Sequence, residues 1–339
     1  MNTKSSFFQG NNNPAQSRRA VRACILGGAI GDALGMPLEQ LPERIIRGSF
    51  EVPITTYNDP VAGAPCYGFG LKKGMYTDDT QAVRVSAKEI AKNQNLSPAI
   101  IADALSGWLF GDTLGQTARY PGVTTREAMK RYLRDGDPLT CGVLSRACGA
   151  AIRISPAAIW LSLVSDKDFE SKIKEIAQVT HTDRSAVDGA LIVGYLVRMG
   201  LEGGTPPIDN LLQICSSDLM GKAIARIKSA LDAKKSPDEV ALELGGGTGA
   251  HEVVPMALYH AYGNGFDFER TLEAGLNTFH PSGLDMDSIL SISGAICGVR
   301  AADSVESSKW LSGLEDAETI AGEAEALFDV CYHCAGNGS

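Results

Sequence analysis

Helical periodicity, repeated in one segment after another, is the feature that most limits how this chain can fold. Few segments alternate with period two, and runs of β-branched residues are short. The sequence therefore predicts an all-α fold of roughly ten to twelve helices without a sheet. Beyond a first helix, the predicted helices span 78–93, 98–110, 124–134, 142–153, 169–179, 184–200, 219–232, 236–242, 250–263, 267–277, 286–299 and 315–330.

Two stretches interrupt the helical pattern. Residues 1–17 are polar and rich in Asn, Ser and Gln, which predicts a flexible tail. Ser17 is the expected N-cap of the first helix, which runs to about Leu34. Residues 42–75 are rich in Pro and Gly and predict a long irregular segment. No break in composition divides the remainder, so residues 18–335 are expected to form one compact multi-helix domain.

Charge and hydropathy argue against two classes of partner. The net charge of −9 leaves no basic surplus to neutralise phosphates, which argues against nucleic acid. We expect no apolar stretch of membrane-spanning length, and the N-terminus lacks a signal-peptide core, so no membrane partner is expected. A cytoplasmic location is the corresponding prediction.

Two short acidic clusters lie far apart in the chain, each just before an apolar helical run. The first comprises Thr77, Asp78 and Asp79, and the second comprises Asp285, Asp287 and Ser288. Taken singly, each is explained by helix capping, because a capping hydroxyl and first-turn acids stabilise the start of a helix. As a pair they are more informative, because two acidic helix starts that met without a cation would repel each other.

Together the two clusters offer a ligand set made only of oxygen. Carboxylates and hydroxyls suit the hard cations Mg²⁺ or Mn²⁺ better than zinc. Only the tertiary fold can bring the two clusters together. A two-metal hydrolytic centre is therefore the first hypothesis.

Three further segments contain residues that could serve the same site. Glu39 follows a helix whose small residues favour close packing, and the alternative is a solvated loop acid. The Gly- and Ala-rich stretch after Cys141 exposes backbone N–H groups that suit a phosphate, although close helix packing explains it equally well. His181 lies at a loop-to-helix junction, where a histidine is more often a capping or hydrogen-bonding residue than a ligand.

In their order along the chain, these segments resemble the motifs of the ADP-ribosylglycohydrolases related to dinitrogenase reductase-activating glycohydrolase. One acidic cluster is similar to the family's T-D-D-T signature, and the other resembles its G-G-D-T-D-T motif with the glycines that follow. The segment after Cys141 resembles its phosphate loop. The matching stretches are 31–39, 76–80, 145–156, 180–181 and 285–298.

The resemblance implies an all-α fold with a binuclear metal site, holding two Mg²⁺ or Mn²⁺ ions. It implies the metal ligands Thr77, Asp78, Asp79, Asp285, Asp287 and Ser288. It implies that the phosphates and ribose are held by Ser145, Arg146, Ala147, Cys148, Gly149 and His181. Glu39 would lie beside the metals, and the candidate catalytic acids are Glu39, Asp78 and Asp79.

Some positions depart from the family pattern. Leu284 replaces the usual Gly and Met286 the usual Thr, which could narrow the site. Ser288 stands where Thr is commoner but keeps the hydroxyl. Arg146 is bulky for a phosphate loop, so it either assists pyrophosphate binding or tightens the entrance.

The reaction implied by the resemblance is removal of ADP-ribose from an ADP-ribosylated protein, with arginine as the expected side chain. The bond between C1 of the ribose and the guanidino nitrogen would be hydrolysed through an oxocarbenium-like state. Three alternatives stay open: a different two-metal hydrolase such as a phosphoesterase, a pseudo-enzyme that binds ADP-ribose without cleaving it, and an immunity protein. In the last case, residues 1–17 would contact an ADP-ribosyltransferase toxin.

Overall fold

The structure, a computed structural model, describes residues 13–164 and 168–337. These residues contain seventeen α-helices and no strand, so the predicted all-α fold is confirmed for this part of the chain, although the helices were undercounted. In chain order the helices are α1 (Pro14–Gly35), α2 (Glu43–Ser49), α3 (Asp78–Asn93), α4 (Pro98–Phe110), α5 (Val123–Asp135), α6 (Gly149–Ile152), α7 (Ser155–Val164), α8 (Phe169–Gln178), α9 (Arg184–Leu201), α10 (Ile208–Ile214), α11 (Asp218–Asp232), α12 (Pro237–Leu244), α13 (Ala250–Gly263), α14 (Phe268–Leu276), α15 (Met286–Gly298), α16 (Ala302–Glu306) and α17 (Ala317–Asn337).

The start of α1 differs from the prediction. Its N-cap is Asn13, whose side chain accepts a hydrogen bond from the backbone N–H of Ala15 at 3.0 Å, and Pro14 occupies the first turn. Ser17, the predicted N-cap, is instead buried within the helix. Residues 1–12 of the predicted tail lie outside the described residues, so the predicted toxin contact stays a prediction.

Helices α2, α7, α10 and α16 have no counterpart among the predicted spans. In α7, Pro156 lies in the first turn, where a missing N–H costs nothing. The irregular segment predicted over 42–75 contains α2 and a 3₁₀ turn at Pro65–Phe69.

The helix predicted over 142–153 is wrong in its first part. Residues 142–148 are not helical, and only α6, at the end of the predicted span, is a helix. Val143 forms a parallel bridge with His181, and Ala147 forms an antiparallel bridge with Gly249. The backbone groups that a helix would pair internally are therefore satisfied by two remote segments. The local Gly–Ala pattern cannot reveal those partners.

At the centre of the molecule α1 and α15 cross in close antiparallel contact. A Cβ atom on Gly31 would lie 2.0 Å from the carbonyl oxygen of Leu290, and one on Gly294 would lie 2.0 Å from that of Gly27. No larger residue fits at either crossing point, as the small-residue spacing predicted. Because the helices are antiparallel, the C-terminal end of α1 meets the N-terminal start of α15.

The central position of α1 also explains its composition. The span Pro14–Leu38 is long and apolar enough to cross a membrane by length and composition, so the expectation that no stretch reaches that length is wrong. Within the described structure, however, 94% of its most apolar window is buried. It belongs to one contiguous apolar core that includes residues from nearly every helix.

Candidate active site

Three helix ends meet at one edge of the core. Glu39 follows the end of α1, and Asp285 and Asp287 lie at the start of α15. One carboxylate oxygen from each of these three residues lies within 4.8 Å of the others. The start of α3 joins them, because the Ser288 hydroxyl donates to Asp79 Oδ2 at 3.0 Å. The two acidic clusters are therefore in contact, as their pairing predicted.

Asp32, to which the sequence analysis gave no role, holds the first cluster in place. Its carboxylate accepts hydrogen bonds from the backbone N–H of Thr77 at 3.0 Å and of Thr80 at 2.9 Å, and from the Thr80 hydroxyl at 2.6 Å. The residue is fully buried in α1, so these donors offset the cost of removing a carboxylate from water. The sequence does carry a signal for this role, because Asp32 is an acidic residue within the apolar, Gly-rich part of α1.

Thr77 and Asp78 of the first cluster hold the start of α3 in place, one within the helix and one through a neighbouring loop. Thr77 is the N-cap of α3, and its hydroxyl accepts from the Asp79 N–H at 3.2 Å. The capping interpretation is thus correct for Thr77, and its oxygen retains a second lone pair. Asp78 Oδ2 accepts from the N–H of Gly122 at 3.2 Å, which ties the start of α3 to the loop before α5.

The carboxylates of this site are not neutralised by a basic side chain of the described structure. Among the described residues, no lysine or arginine forms an ion pair with any of its acids. Burial, together with the charges of Asp285 and Asp78, raises the pKa of Glu39 to about 9. Burial and neighbouring carboxylates also raise the pKa values of Asp79 and Asp287 well above the ordinary range.

The donor set fits a hard divalent cation. Glu39 Oε2 and Asp287 Oδ1 are buried and have no hydrogen-bond partner among the described residues. Such oxygens are costly unless a proton or a cation occupies the space between them. Carboxylate oxygens this close together are the ligands that Mg²⁺ and Mn²⁺ prefer. Glu39 therefore lies within the carboxylate cluster itself.

The predicted phosphate loop, residues 145–149, adjoins the acids. Cys148 Sγ lies 3.3 Å from Asp285 Oδ2. At the other end of the loop, the Ser145 hydroxyl accepts from the Thr124 hydroxyl at 2.8 Å. The side chain of Arg146 is largely exposed and lies 3.6 Å from the carboxylate of Asp183.

His181 and Gly149 close the far side of the same loop. A Cβ atom on Gly149 would lie 3.1 Å from the His181 ring, so a larger residue here would press on the ring and displace it by a few tenths of an ångström. Ala147 contributes mainly backbone, through its bridge to Gly249. Of the predicted substrate-contact residues, Cys148 borders the acids and Gly149 approaches His181, whereas the side chain of Arg146 lines a separate cavity with Asp183. Their binding of substrate stays a prediction.

Tyr120 is a site residue that the sequence analysis missed. Its backbone has a φ of 33°, which is strained for a bulky residue, and its buried hydroxyl makes no hydrogen bond of normal geometry. Burial, followed by the charges of Asp287 and Glu39, raises the pKa of Tyr120. Its ring packs on Phe69 at 4.8 Å and lines a cavity of about 500 Å³. No local pattern distinguishes this tyrosine from others.

The comparison with protein families now fits this architecture. A sequence model of the family described as ADP-ribosylglycohydrolase matches residues 13–336. The chain belongs to the ADP-ribosylglycohydrolase family, as its motifs predicted. It is therefore a hydrolytic glycosidase that acts on ADP-ribosyl groups, in a family that depends on metal ions.

Individual relatives extend over different shares of the chain. An uncharacterized protein of Archaeoglobus fulgidus is 31% identical over 322 residues, which cover 91% of this chain and 96% of that protein. The ADP-ribosylarginine hydrolase Tri1 of Pseudomonas putida is 30% identical, covering 56% of this chain and 49% of that protein. The ADP-ribosylhydrolase ARH3 of Homo sapiens is 24% identical, covering 93% and 95% respectively.

A solved structure shares the fold. It is described as an ADP-ribosylglycohydrolase-related protein complex, and it superposes with a TM-score of 0.71 at 22% identity. The match covers 95% of this chain and 99% of that one. The helical architecture is therefore common to both chains.

Proposed function

We propose that this protein removes ADP-ribose from arginine side chains of modified proteins, with two Mg²⁺ or Mn²⁺ ions in the carboxylate cluster. The observation that carries the proposal is the group formed by Glu39, Asp285 and Asp287, whose carboxylate oxygens converge without a cationic partner among the described residues. The relatives named ADP-ribosylarginine hydrolase support arginine as the modified residue. The proposed ligands are Thr77, Asp78, Asp79, Asp285, Asp287 and Ser288, joined by Glu39.

The metal ligands and the catalytic acids would have separate roles in the reaction. When bound, the cations would supply charge stabilisation for ribose oxygens and acidity for the attacking water. Glu39, Asp78 and Asp79 are the candidate proton acceptors, and Glu39 is favoured because one of its buried oxygens has no hydrogen-bond partner in the part of the chain that the structure describes. Guanidine leaves as a stable group, so positioning of the sugar and the water is the main requirement.

The opposite wall would hold the diphosphate. In the loop 145–149, Arg146 is exposed and able to turn towards an anion, and Gly149 lies beside the His181 ring. The distance of only 3.3 Å between Cys148 Sγ and Asp285 Oδ2 places this wall directly against the acids. One ADP-ribosyl group can therefore contact both walls.

The decisive experiment measures release of labelled ADP-ribose from an arginine-ADP-ribosylated protein, with Mg²⁺, with Mn²⁺ and with a chelator. We expect metal-dependent release of intact ADP-ribose and no inorganic phosphate. Release from a serine-linked substrate alone would overturn the arginine assignment. Tight binding of ADP-ribose without turnover in excess metal would instead favour a pseudo-enzyme.

A further inference from the structure

Beside the loop 145–149 lies a fully buried chain of three polar side chains. Arg153 Nη2 donates to Thr180 Oγ1 at 2.7 Å, and Thr180 Oγ1 lies 2.8 Å from His181 Nδ1. The three residues are exposed by 2%, 0% and 1%. Water therefore cannot substitute for any of these contacts.

The donor and the acceptor of each of these two hydrogen bonds can be assigned. A guanidinium group only donates, so Thr180 Oγ1 accepts from Arg153. If His181 Nδ1 carried a proton and donated as well, the Thr180 hydroxyl hydrogen would have no acceptor among the described residues. A buried unsatisfied hydroxyl is costly, so the favoured arrangement has Thr180 donating to Nδ1. The ring proton is then on Nε2.

We propose that Arg153 and Thr180 act as positioning residues, locking His181 as the neutral tautomer with Nε2–H, which donates a hydrogen bond to the ADP-ribosyl group at the loop 145–149. The ligand in this inference rests on the proposed function, whereas the tautomer does not. Burial and the charge of Arg153 lower the pKa of His181 to about 3, which keeps the ring neutral at physiological pH.

The orientation of the ring points its donor at the loop. A Cβ atom on Gly149 would lie 3.1 Å from Cε1 of the ring and 3.4 Å from Nε2, so the ring edge that carries Nε2 faces the loop. The backbone around the ring is also held, because Val143 N–H donates to Thr180 O at 2.9 Å and Thr182 N–H donates to Val143 O at 2.9 Å. The same two hydrogen bonds thus fix the relative positions of the loop and the imidazole.

A second buried histidine shows what the arginine adds. His260 Nε2 lies 3.4 Å from Thr278 Oγ1, but that hydroxyl donates to the carbonyl oxygen of Ala274 at 2.8 Å. No arginine forms a hydrogen bond with the Thr278 hydroxyl among the described residues. Its tautomer is therefore not determined by a threonine proton, which makes this pair a matched control.

Nitrogen NMR of ¹⁵N-histidine-labelled protein at pH 7 tests the tautomer directly. The chain has five histidines, and His181→Gln identifies the relevant signals. We expect a protonated Nε2 and an unprotonated Nδ1 in the unmodified chain, with loss of this single form in Thr180→Val and its return in Thr180→Ser. Thr278→Val should leave the His181 signals unchanged. A protonated Nδ1 in the unmodified chain would overturn the inference.

Binding of ADP-ribose to the metal-loaded protein supplies the second readout. Thr180→Val should weaken binding roughly tenfold, the size of one hydrogen bond, and Thr180→Ser should restore it. Unchanged affinity in a folded Thr180→Val variant that has lost the tautomer would refute the donor role. If no form of the protein bound ADP-ribose, the proposed function would fail, while the NMR result would still decide the tautomer.

Discussion

Two groups of acids lie near the start of α3, one largely buried and one partly exposed, and they are neutralised in different ways. On one side, Arg84 Nε and Nη1 contact Glu323 and Asp316 at 2.8 and 2.9 Å. Arg119 contacts Glu315 through both terminal nitrogens at 2.7 and 2.9 Å. Every acid in this group therefore has a guanidinium partner within the chain.

On the other side, Glu39, Asp285 and Asp287 converge with no such partner among the described residues. The backbone oxygen of Tyr76 accepts from Arg119 at 2.6 Å, one residue before the cluster at Thr77. The arginines thus come close to the acids but are occupied elsewhere. The difference teaches that a cluster of acids is not by itself a candidate metal site. It becomes one where no arginine or lysine of the described chain neutralises the carboxylates.

The largest expected effect comes from removing single carboxylates of the unpaired group. Asp79→Ala and Asp287→Ala should each lower turnover by about a thousandfold or more, because the cations lose a ligand. Neither should unfold the chain, since each removes a buried charge without a salt-bridge partner. Label release and circular dichroism measure the two outcomes. Full activity in both purified variants would show that the unpaired carboxylates do not hold a metal ion that the reaction needs.

A comparable effect, on stability rather than activity, is expected in the paired group. Arg84→Met leaves the partly exposed carboxylates of Glu323 and Asp316 without their shared cation, and the loss of these charged hydrogen bonds costs about 1.5–3 kcal/mol. Urea unfolding measures the loss. Activity per folded molecule should persist at temperatures where the variant is native. Loss of metal binding in this variant would show that the two groups are not independent.

The pH dependence of stability should separate the groups further. Since the native pKa of Glu39 is raised to about 9, the native state holds this proton more tightly than the unfolded state. The stabilisation is complete below the unfolded pKa, near 4.5, and is lost as the pH rises towards 9. Metal-free protein should therefore lose up to about 1.4 kcal/mol per pH unit in this window. Thermal unfolding with a chelator, against saturating Mg²⁺, measures the slope, which metal should flatten.

The smallest effect is expected at the hydroxyl that joins the two clusters. Ser288→Ala removes the hydrogen bond to Asp79 Oδ2, and we expect metal affinity to fall about tenfold. Ser288→Thr keeps the hydroxyl and should retain the original affinity. Isothermal titration with Mn²⁺ compares the three proteins. Equal affinities for all three would limit Ser288 to a structural contact between the two clusters.

Local patterns predicted much of the fold. Helices α3, α4 and α13 begin and end at the predicted residues, because caps and apolar periodicity are encoded within each segment. The extended stretch around Val143 escaped prediction because its hydrogen-bond partners lie near His181 and Gly249. Likewise, the strain at Tyr120 depends on what surrounds the residue and leaves no local signature.

The sequence by itself determined the all-α class and the family, because helix periodicity and an ordered set of short motifs are properties of neighbouring residues. Tertiary structure alone decided which acids are unpaired. Asp32 is covered by the start of α3, whereas Glu39 and Asp287 retain buried oxygens that no other described residue contacts by a hydrogen bond. Burial and the positions of counter-charges depend on packing between residues remote in the chain, and no local pattern records them.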